Sequence, residues 1–381
     1  MEDIFEQLQD DTKSFWAPSG GVRRLEEMPS PSLFFRDYVA TSTPVIIAGG
    51  ASSLLKAAPR SWDDLRSLAA PDLEVTVDFT PNGRGDCIVN LSGPSTTMSS
   101  ASVGEGDERE WLAGSAVFVK PEERRMKFEA FVELLLSGGN GEGEGGPSSS
   151  PSSSNSGEVP YLSHQQNDSL RQEFPSLMAD VEPFLELARE AFGNEPDAVN
   201  LWIGDERSMS AVHKDHYENM YCVVRGEKQV TLLPPSDVLF LYEQEYPQGR
   251  YRRKTDGTGF EVDMEEETLS WIPVDPACPD LEKYPLFRHA SPVNCSVGPG
   301  DILYLPALWY HRVSQKGPTV AVNYWHDMQF DHKYVYYRFL QGLARKIRVE
   351  RHLVLPDDVS VAAPLDAATR AKLAAQDDGV A

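Results

Sequence analysis

The feature that most constrains the fold is a series of short β-strand patterns in the second half of the chain. These segments are rich in β-branched and aromatic residues and are separated by turn residues. They are residues 199–203, 209–213, 220–224, 228–233, 301–305, 310–314 and 319–325. Residues 225–227, which read Arg-Gly-Glu, are predicted to form a hairpin turn. Because such strands pack as a sandwich or a closed barrel, the sequence predicts a mainly β fold with flanking helices.

The rest of the chain predicts further elements around this β region. Helical spacing occurs in the first residues and in residues 127–136, 168–192 and 332–350, and strand patterns occur in residues 44–48 and 73–79. A Gly/Ser tract at residues 137–158 has almost no apolar residue and predicts a flexible loop. We expect four parts: N-terminal helices and strands that pack on a barrel (1–136), a disordered Gly/Ser insertion (137–158), the barrel with a closing C-terminal helix (159–355) and a weakly ordered tail (356–381).

Charge and composition exclude several classes of protein. The 381 residues include 35 Lys and Arg against 59 Asp and Glu, a formal net charge of −24. This charge argues against general nucleic-acid binding, which gains affinity from basic residues on phosphates. Apolar runs are shorter than the roughly 20 residues that a membrane helix needs. The acidic start does not match a secretory signal, and the four scattered cysteines are typical of reduced thiols, so we expect a cytoplasmic or nuclear protein. The acidic run at residues 261–267 is interpreted as a solvated face.

The densest cluster of polar residues lies in residues 210–219 and predicts a metal site. His213 and Asp215 are two positions apart in a predicted strand, so their side chains point to the same face. His311 follows a distant strand pattern and offers a second imidazole. Two histidines and one carboxylate with open positions are the ligand set of non-haem Fe(II) oxygenases. Because an isolated H-x-D triplet is common by chance, the prediction depends on its combination with His311, Asn219 and Lys228.

Residues 198–331 resemble a JmjC domain, the double-stranded β-helix of Fe(II)- and 2-oxoglutarate-dependent oxygenases. The resemblance is carried by the phrases HKDHYEN at 213–219, GEK at 226–228, LPPSD at 233–237, WIP at 271–273 and YLPALWYH at 304–311. Weaker matches extend upstream, so the resemblance covers most of the chain. Within that family the chain is most similar to members described as a bifunctional peptidase and (3S)-lysyl hydroxylase. The resemblance implies a jelly-roll, cupin-like JmjC barrel.

The same resemblance implies roles for the metal and for the cosubstrate. His213, Asp215 and His311 would hold Fe(II), 2-oxoglutarate would chelate the metal through its keto-acid end, and O2 would be the other reactant. The distal carboxylate of 2-oxoglutarate would then need a buried cation. Lys228 matches the family residue for this role, in which an ammonium forms a strong charge-assisted hydrogen bond to a carboxylate. Outside this context, Lys228 would be interpreted as an exposed lysine on a strand.

Four more residues are assigned to the cosubstrate by the resemblance. The hydroxyls of Ser210 and Tyr161 would complete the carboxylate site. The side chains of Asn219 and Asn323 would contact the cosubstrate or metal-bound groups. Tyr161 borders the Gly/Ser tract, and ordinary packing is an equally open interpretation of that residue.

The implied reaction is hydroxylation of a lysine side chain at C3 on a protein, with a translation-associated GTPase as the family precedent. A JmjC N-methyl-lysine demethylase uses the same iron chemistry and stays open. A histone-tail peptidase also stays open, although the sequence has no evident Ser or Cys nucleophile arrangement and no H-E-x-x-H zinc motif. A non-catalytic cupin-like binding module would have lost a ligand, whereas all three ligands and the lysine are present. The resemblance further implies a homodimer.

Overall fold

The computed structural model describes residues 2–16, 21–52, 54, 62, 65–66, 69–70, 72–91, 115–138, 158–163, 168–179 and 181–351. Most of the predicted Gly/Ser insertion and all of the predicted tail lie outside these residues. The first two residues of the predicted insertion, Ser137 and Gly138, instead belong to the end of a helix. Within the described part of the chain, no helix is long and apolar enough to cross a membrane.

The described residues form six α-helices and sixteen strands, and each type is numbered in chain order. The α-helices are α1 (Glu2–Trp16), α2 (Pro31–Phe34), α3 (Phe128–Gly138), α4 (Ser169–Glu173), α5 (Glu186–Phe192) and α6 (His332–Glu350). The strands of the first half are β1 (Arg23–Leu25), β2 (Val45–Ile47), β3 (Glu74–Thr80), β4 (Arg84–Gly85), β5 (Cys87–Asn90), β6 (Ala116–Lys120), β7 (Glu122–Lys127) and β8 (Val159–Tyr161). Those of the second half are β9 (Ala198–Gly204), β10 (Met209–His213), β11 (Tyr217–Leu233), β12 (Gln244–Arg253), β13 (Phe260–Trp271), β14 (Val293–Val297), β15 (Ile302–Leu305) and β16 (Tyr310–Asp327).

The largest sheet has nine strands, and its two longest strands pair with each other. Its order is β1-β2-β15-β11-β16-β10-β4, with β14 also paired to β11 and β9 also paired to β16. Two smaller sheets have the orders β13-β12-β6-β5 and β7-β3-β8. The prediction of a mainly β fold with flanking helices is confirmed, and the architecture is that of a jelly-roll, double-stranded β-helix.

The predicted hairpin turn at residues 225–227 is wrong. Residues 217–233 form one strand, β11, and its segments on both sides of Gly226 pair antiparallel with β16. The pairing register shifts between Val223 and Glu227, and Gly226 has φ +75°. The segment is therefore a bulge within a continuous strand. A bulge and a tight hairpin turn both use a glycine at positive φ, so the local sequence did not separate them.

The bulge changes which residues of β11 face the inside of the barrel. Before the bulge, Tyr221 and Val223 pack in the inner apolar cluster, together with Trp202 of β9. After the bulge, Val230 and Leu232 pack in the same cluster, although their positions have the opposite parity. Because side chains alternate between faces with a period of two, one extra residue in the ladder moves every later side chain to the other face.

Two further elements differ from the sequence prediction. The helix predicted over residues 168–192 is interrupted, and among its described residues only those of α4 and α5 are α-helical. Pro175 and Pro183 lie between these helices, and proline cannot continue a helix because it lacks a backbone N–H. The acidic run at residues 261–267 lies in β13, where Val262 and Met264 are buried while Glu266 is exposed.

We predict that Gly226→Ala destabilises the protein more than Gly257→Ala does. Both glycines have positive φ, +75° and +74° respectively. A Cβ at Gly226 would lie 2.7 Å from the Pro318 carbonyl oxygen, whereas a Cβ at Gly257 would meet nothing within 4 Å. Gly257→Ala therefore costs only backbone strain, and Gly226→Ala should cost about 1–3 kcal/mol more. Urea unfolding measures both losses of free energy, and equal losses would contradict the assignment of the bulge.

Candidate metal centre

The three predicted metal ligands come together where β10 ends and β16 begins. His213 is the last residue of β10, and its Cα pairs with that of His311 in β16. Asp215 follows in the connection between β10 and β11, just beyond the predicted strand. Its carbonyl accepts a hydrogen bond from the backbone N–H of Leu308 at 2.9 Å. Leu308 has φ +68°, an unusual value for leucine, so the backbone beside the triad is strained.

The ligand atoms of these residues are close enough to share one ion. One atom from each of His213, Asp215 and His311 lies within 4.8 Å of the other two. The Asp215 Oδ2 atom lies 3.5 Å from His311 Nε2 and 3.9 Å from His213 Nε2. Two imidazoles and one carboxylate match the donor preference of Fe(II) in open oxygenase sites. The residues present therefore fit an iron ion.

Hydrogen bonds orient both imidazoles for metal binding. His213 Nδ1 lies 2.7 Å from the Ala211 carbonyl oxygen, and His311 Nδ1 lies 3.0 Å from that of Trp309. A carbonyl can only accept, so these contacts place the proton on Nδ1 and leave the Nε2 lone pair for a metal. Burial, together with the nearby His213, lowers the pKa of His311 to about 4. His311 is thus neutral at pH 7, as a ligand must be.

Trp271 lies beside His213, and although the WIP motif contains it, no role was predicted for it. Its ring is stacked parallel to His213, with centroids 6.1 Å apart and an interplanar angle of 6°. It also lines an open cavity of about 290 Å³ together with His213, Asp215, Tyr161 and Ser210. Two of the predicted metal ligands, His213 and Asp215, therefore face a space large enough for the end of a long side chain.

Lys228 lies inside the barrel without a counter-ion among the described residues. It is fully buried, and its ammonium donates hydrogen bonds to Gln315 Oε1 at 2.5 Å and to the Tyr161 hydroxyl at 3.2 Å. Burial lowers the pKa of Lys228 to about 7. A buried cation with only neutral partners is costly, and a carboxylate bound beside it would remove that cost. Gln315, which also donates to Ser208, was not identified from the sequence.

The other predicted cosubstrate residues fall into two pairs. Tyr161 is buried, contacts Lys228 and shares a hydrogen bond with Ser210. Asn323 donates to Asn219 Oδ1 at 3.2 Å, and both asparagines line a narrow cavity beside the metal ligands. The structure thus places one pair beside the lysine and the other beside the triad. Tyr161 therefore lies in the site as well as in the apolar core.

A buried ion pair anchors Lys214, the residue between the predicted metal ligands His213 and Asp215. The ammonium of Lys214 lies 2.9 Å from Glu243 Oε1, and it also lies near the rings of Tyr310 and Tyr337. Gln341 of α6 donates to the same Glu243 oxygen at 3.0 Å. Burial alone would raise the pKa of Glu243, but the charge and hydrogen bond of Lys214 lower it to about 2. The ion pair therefore connects the metal segment to the closing helix.

The barrel and the His-Asp-His triad define a class, the cupin-like JmjC proteins. The chain matches the family model described as "Cupin-like domain" over residues 31–332, and it belongs to this family. JmjC proteins are Fe(II)- and 2-oxoglutarate-dependent, and the triad of this chain fits an iron site.

Three known proteins are similar to the chain over most of its length. One is "Lysine-specific demethylase JMJ32" of Arabidopsis thaliana, 37% identical over 85% of this chain and 87% of the relative. Another is "JmjC domain-containing protein E" of Dictyostelium discoideum, 34% identical over 89% of this chain and 93% of the relative. A third is "Bifunctional peptidase and (3S)-lysyl hydroxylase JMJD7" of Homo sapiens, 35% identical over 85% of this chain and 90% of the relative. The chain is therefore a JmjC protein related to these proteins.

We predict that His311→Ala weakens divalent-metal binding by at least about 100-fold, because it removes one of three ligands. Metal-free full-length protein titrated with Co(II), followed by visible absorption, measures the affinity. His216→Ala is the matched control, since His216 lies next to Asp215 but packs against Tyr334 of α6. Equal affinities of the two variants would contradict the assignment of His311 as a ligand.

We predict that either Lys214→Met or Glu243→Gln lowers the free energy of unfolding by about 3–5 kcal/mol, because each leaves a buried charge unpaired. The double variant should recover part of the loss. The Glu243 carboxyl has a pKa lowered from 4.5 to about 2, so its contribution is complete above pH 4.5 and is lost as the pH falls toward 2. Urea unfolding measures the free energy that Glu243→Gln loses, and this loss should be smaller below pH 4.5 than at pH 7. An equal loss at both pH values would refute the ion pair.

Proposed function

We propose that the protein is an Fe(II)- and 2-oxoglutarate-dependent oxygenase that hydroxylates C3 of a lysine side chain on a protein substrate. The observation that carries this proposal is the combination of the His213, Asp215 and His311 triad with a fully buried Lys228 that has no anionic partner among the described residues. The triad accounts for the metal, and the unpaired ammonium accounts for a dicarboxylate cosubstrate.

Each predicted site residue would have a defined task in this reaction. Bound Fe(II) and 2-oxoglutarate would supply the oxidising chemistry that places one atom of O2 into a C–H bond. Lys228, Tyr161 and Ser210 would bind the distal carboxylate of the cosubstrate. Asn219 and Asn323 would donate or accept hydrogen bonds beside the metal. The chain needs no general base, because its work is to place the C–H bond and to exclude water.

The choice of a lysine rests on the relatives. One similar protein is named as a (3S)-lysyl hydroxylase. We propose a translation-associated GTPase as the substrate, as the sequence resemblance implies. A net charge of −24 suits a basic substrate segment, since opposite charges favour encounter. We further propose that the enzyme acts in the cytoplasm, the nucleus or both, and that it forms a homodimer, which light scattering on the full chain would measure.

A second candidate function, N-methyl-lysine demethylation, is favoured by the similarity to a protein named as a lysine-specific demethylase. The same triad would serve both reactions, because both begin with removal of hydrogen from a C–H bond. The products differ in mass, so one assay separates the two functions.

Peptidase activity receives less support from the side chains. Burial raises the pKa of the Cys87 and Cys295 thiols to about 12, and it also raises that of Cys222. A thiol attacks as its thiolate, so these three cysteines are poor nucleophiles at neutral pH. The fourth, Cys278, is exposed and lies outside the cavity beside the triad.

We predict that the full-length protein with Fe(II), ascorbate and 2-oxoglutarate converts a lysine-containing GTPase peptide to a product about 16 Da heavier, because one oxygen atom is inserted. Mass spectrometry with and without 2-oxoglutarate measures the product. Lys228→Met should raise the KM for 2-oxoglutarate at least about tenfold, since a charged hydrogen bond is lost.

The matched control is Lys346→Met, which removes an exposed lysine near Glu350 on α6. Lys228→Met should keep the wild-type stability, because it removes a buried charge that has no ionic partner among the described residues. A product about 14 Da lighter from a methyl-lysine peptide, without the heavier species, would support the demethylase instead. An unchanged KM in Lys228→Met would refute the proposed cosubstrate site.

A further inference from the structure

The cavity beside the triad has an unusual balance of charges. It has a volume of about 290 Å³ and is lined by His213 and Asp215, and also by residues of β3, β6 and β12. Each cation that lines it has a carboxylate partner. The pairs are Lys120 with Glu265 at 2.7 Å, Arg250 with Glu123 at 2.6 Å and Lys214 with Glu243 at 2.9 Å.

Besides the predicted metal ligand Asp215, two carboxylates of the same cavity have no cationic partner among the described residues. Asp78 and Asp86 both line it, and neither forms an ion pair with another described residue. Asp78 is only 6% exposed. Its Oδ2 atom accepts a hydrogen bond from the Ser163 hydroxyl at 2.6 Å, while its Oδ1 atom has no donor among the described residues. A largely buried carboxylate without a cation is unfavourable until a ligand supplies one.

The backbone fixes Asp86 close to the metal strand. Asp86 lies between β4 and β5 with φ +50°, a conformation that aspartate tolerates better than most residues. The residue before it, Gly85, pairs with Ser210 of β10, the strand that ends at His213. The strained backbone therefore holds a carboxylate beside the triad rather than in solvent.

The electrostatics of the two carboxyls agree with a missing counter-charge. Burial, with a smaller contribution from the charge of the neighbouring Asp86, raises the pKa of Asp78 to about 7. Burial also raises the pKa of Asp86, although His213, Lys120 and Arg250 oppose the shift. A cation bound between the two carboxyls would lower both pKa values and repay the desolvation cost.

We propose that Asp86 and Asp78 bind the ammonium group of the substrate lysine while the triad faces the carbon chain of that residue. This inference rests on the proposed function, because it assigns the substrate end of the same site. The shared cavity permits the arrangement, since His213, Asp215 and both carboxylates line one space. A neutral side chain of the same length would leave both carboxylates unsatisfied, so the pair acts as a determinant of specificity.

The first experiment measures binding of two small probes to the full-length protein by saturation-transfer NMR. The probes are N-acetyl-lysine N′-methylamide and its norleucine analogue, which lacks the charge. We expect the wild type to bind the lysine probe at least about tenfold more tightly, and Asp86→Asn to abolish this preference. Asp78→Asn should reduce the preference as well. Retention of the preference in both variants would overturn the proposal.

The second experiment uses the peptide that the wild type hydroxylates. Asp86→Asn should raise the KM for the peptide at least about tenfold, and it should change the KM for 2-oxoglutarate much less. Glu266→Gln is the control, because Glu266 is an exposed carboxylate on β13 outside the cavity. An unchanged peptide KM would refute the ammonium site. Conversely, a lysine preference in binding without any hydroxylated peptide would refute the proposed function and leave the ammonium site standing.

Discussion

The pairing of β11 with β16 is the constraint on which the rest of the site depends. These strands run antiparallel from Tyr217 opposite Asp327 to Leu233 opposite Tyr310. Their pairing register shifts only around the bulge at Gly226. Without the bulge, the alternation that directs Tyr221 inward would direct Lys228 to the other face. One extra residue in the ladder therefore places the lysine in the barrel interior, opposite Gln315 of β16. The same two strands carry Asn219, Asn323 and His311, so one pairing positions most of the proposed site.

Charged groups of both signs lie near the triad without an ionic partner among the described residues. Lys228 is a buried cation with only neutral hydrogen-bond partners among the described residues. Asp78 and Asp86 are carboxylates without a cation in the same described part of the chain. Each arrangement costs free energy in the protein alone and is relieved by a ligand of opposite charge. An anionic cosubstrate and a cationic substrate would each supply one of the missing partners, which gives a physical reason for binding both.

Local rules predicted the residues whose roles depend on nearby sequence. His213 and Asp215 are two positions apart, and the strand period predicted that they share a face, although Asp215 lies just beyond the end of β10. Gln315 and Asp86 were not predicted, because only long-range pairing brings them to the site. Gln315 pairs with Lys228 across the ladder, and Gly85, the residue before Asp86, pairs with β10. The bulge was predicted to be a hairpin turn, because a glycine suits both structures and only the distant partner strand distinguishes them.

The acidity of the chain acts locally as well as globally. Glu265 belongs to the acidic run that the sequence analysis interpreted as a solvated face, yet it contacts Lys120 at 2.7 Å and Arg250 at 3.7 Å beside the cavity. Lys120 pairs with Glu265 and Arg250 pairs with Glu123, and both cations oppose the rise in the pKa of Asp86 without forming an ion pair with it. The net charge of −24 can only attract a basic segment over a distance that salt limits to about 10 Å. Recognition of one ammonium group therefore depends on which carboxylates the cavity leaves unpaired.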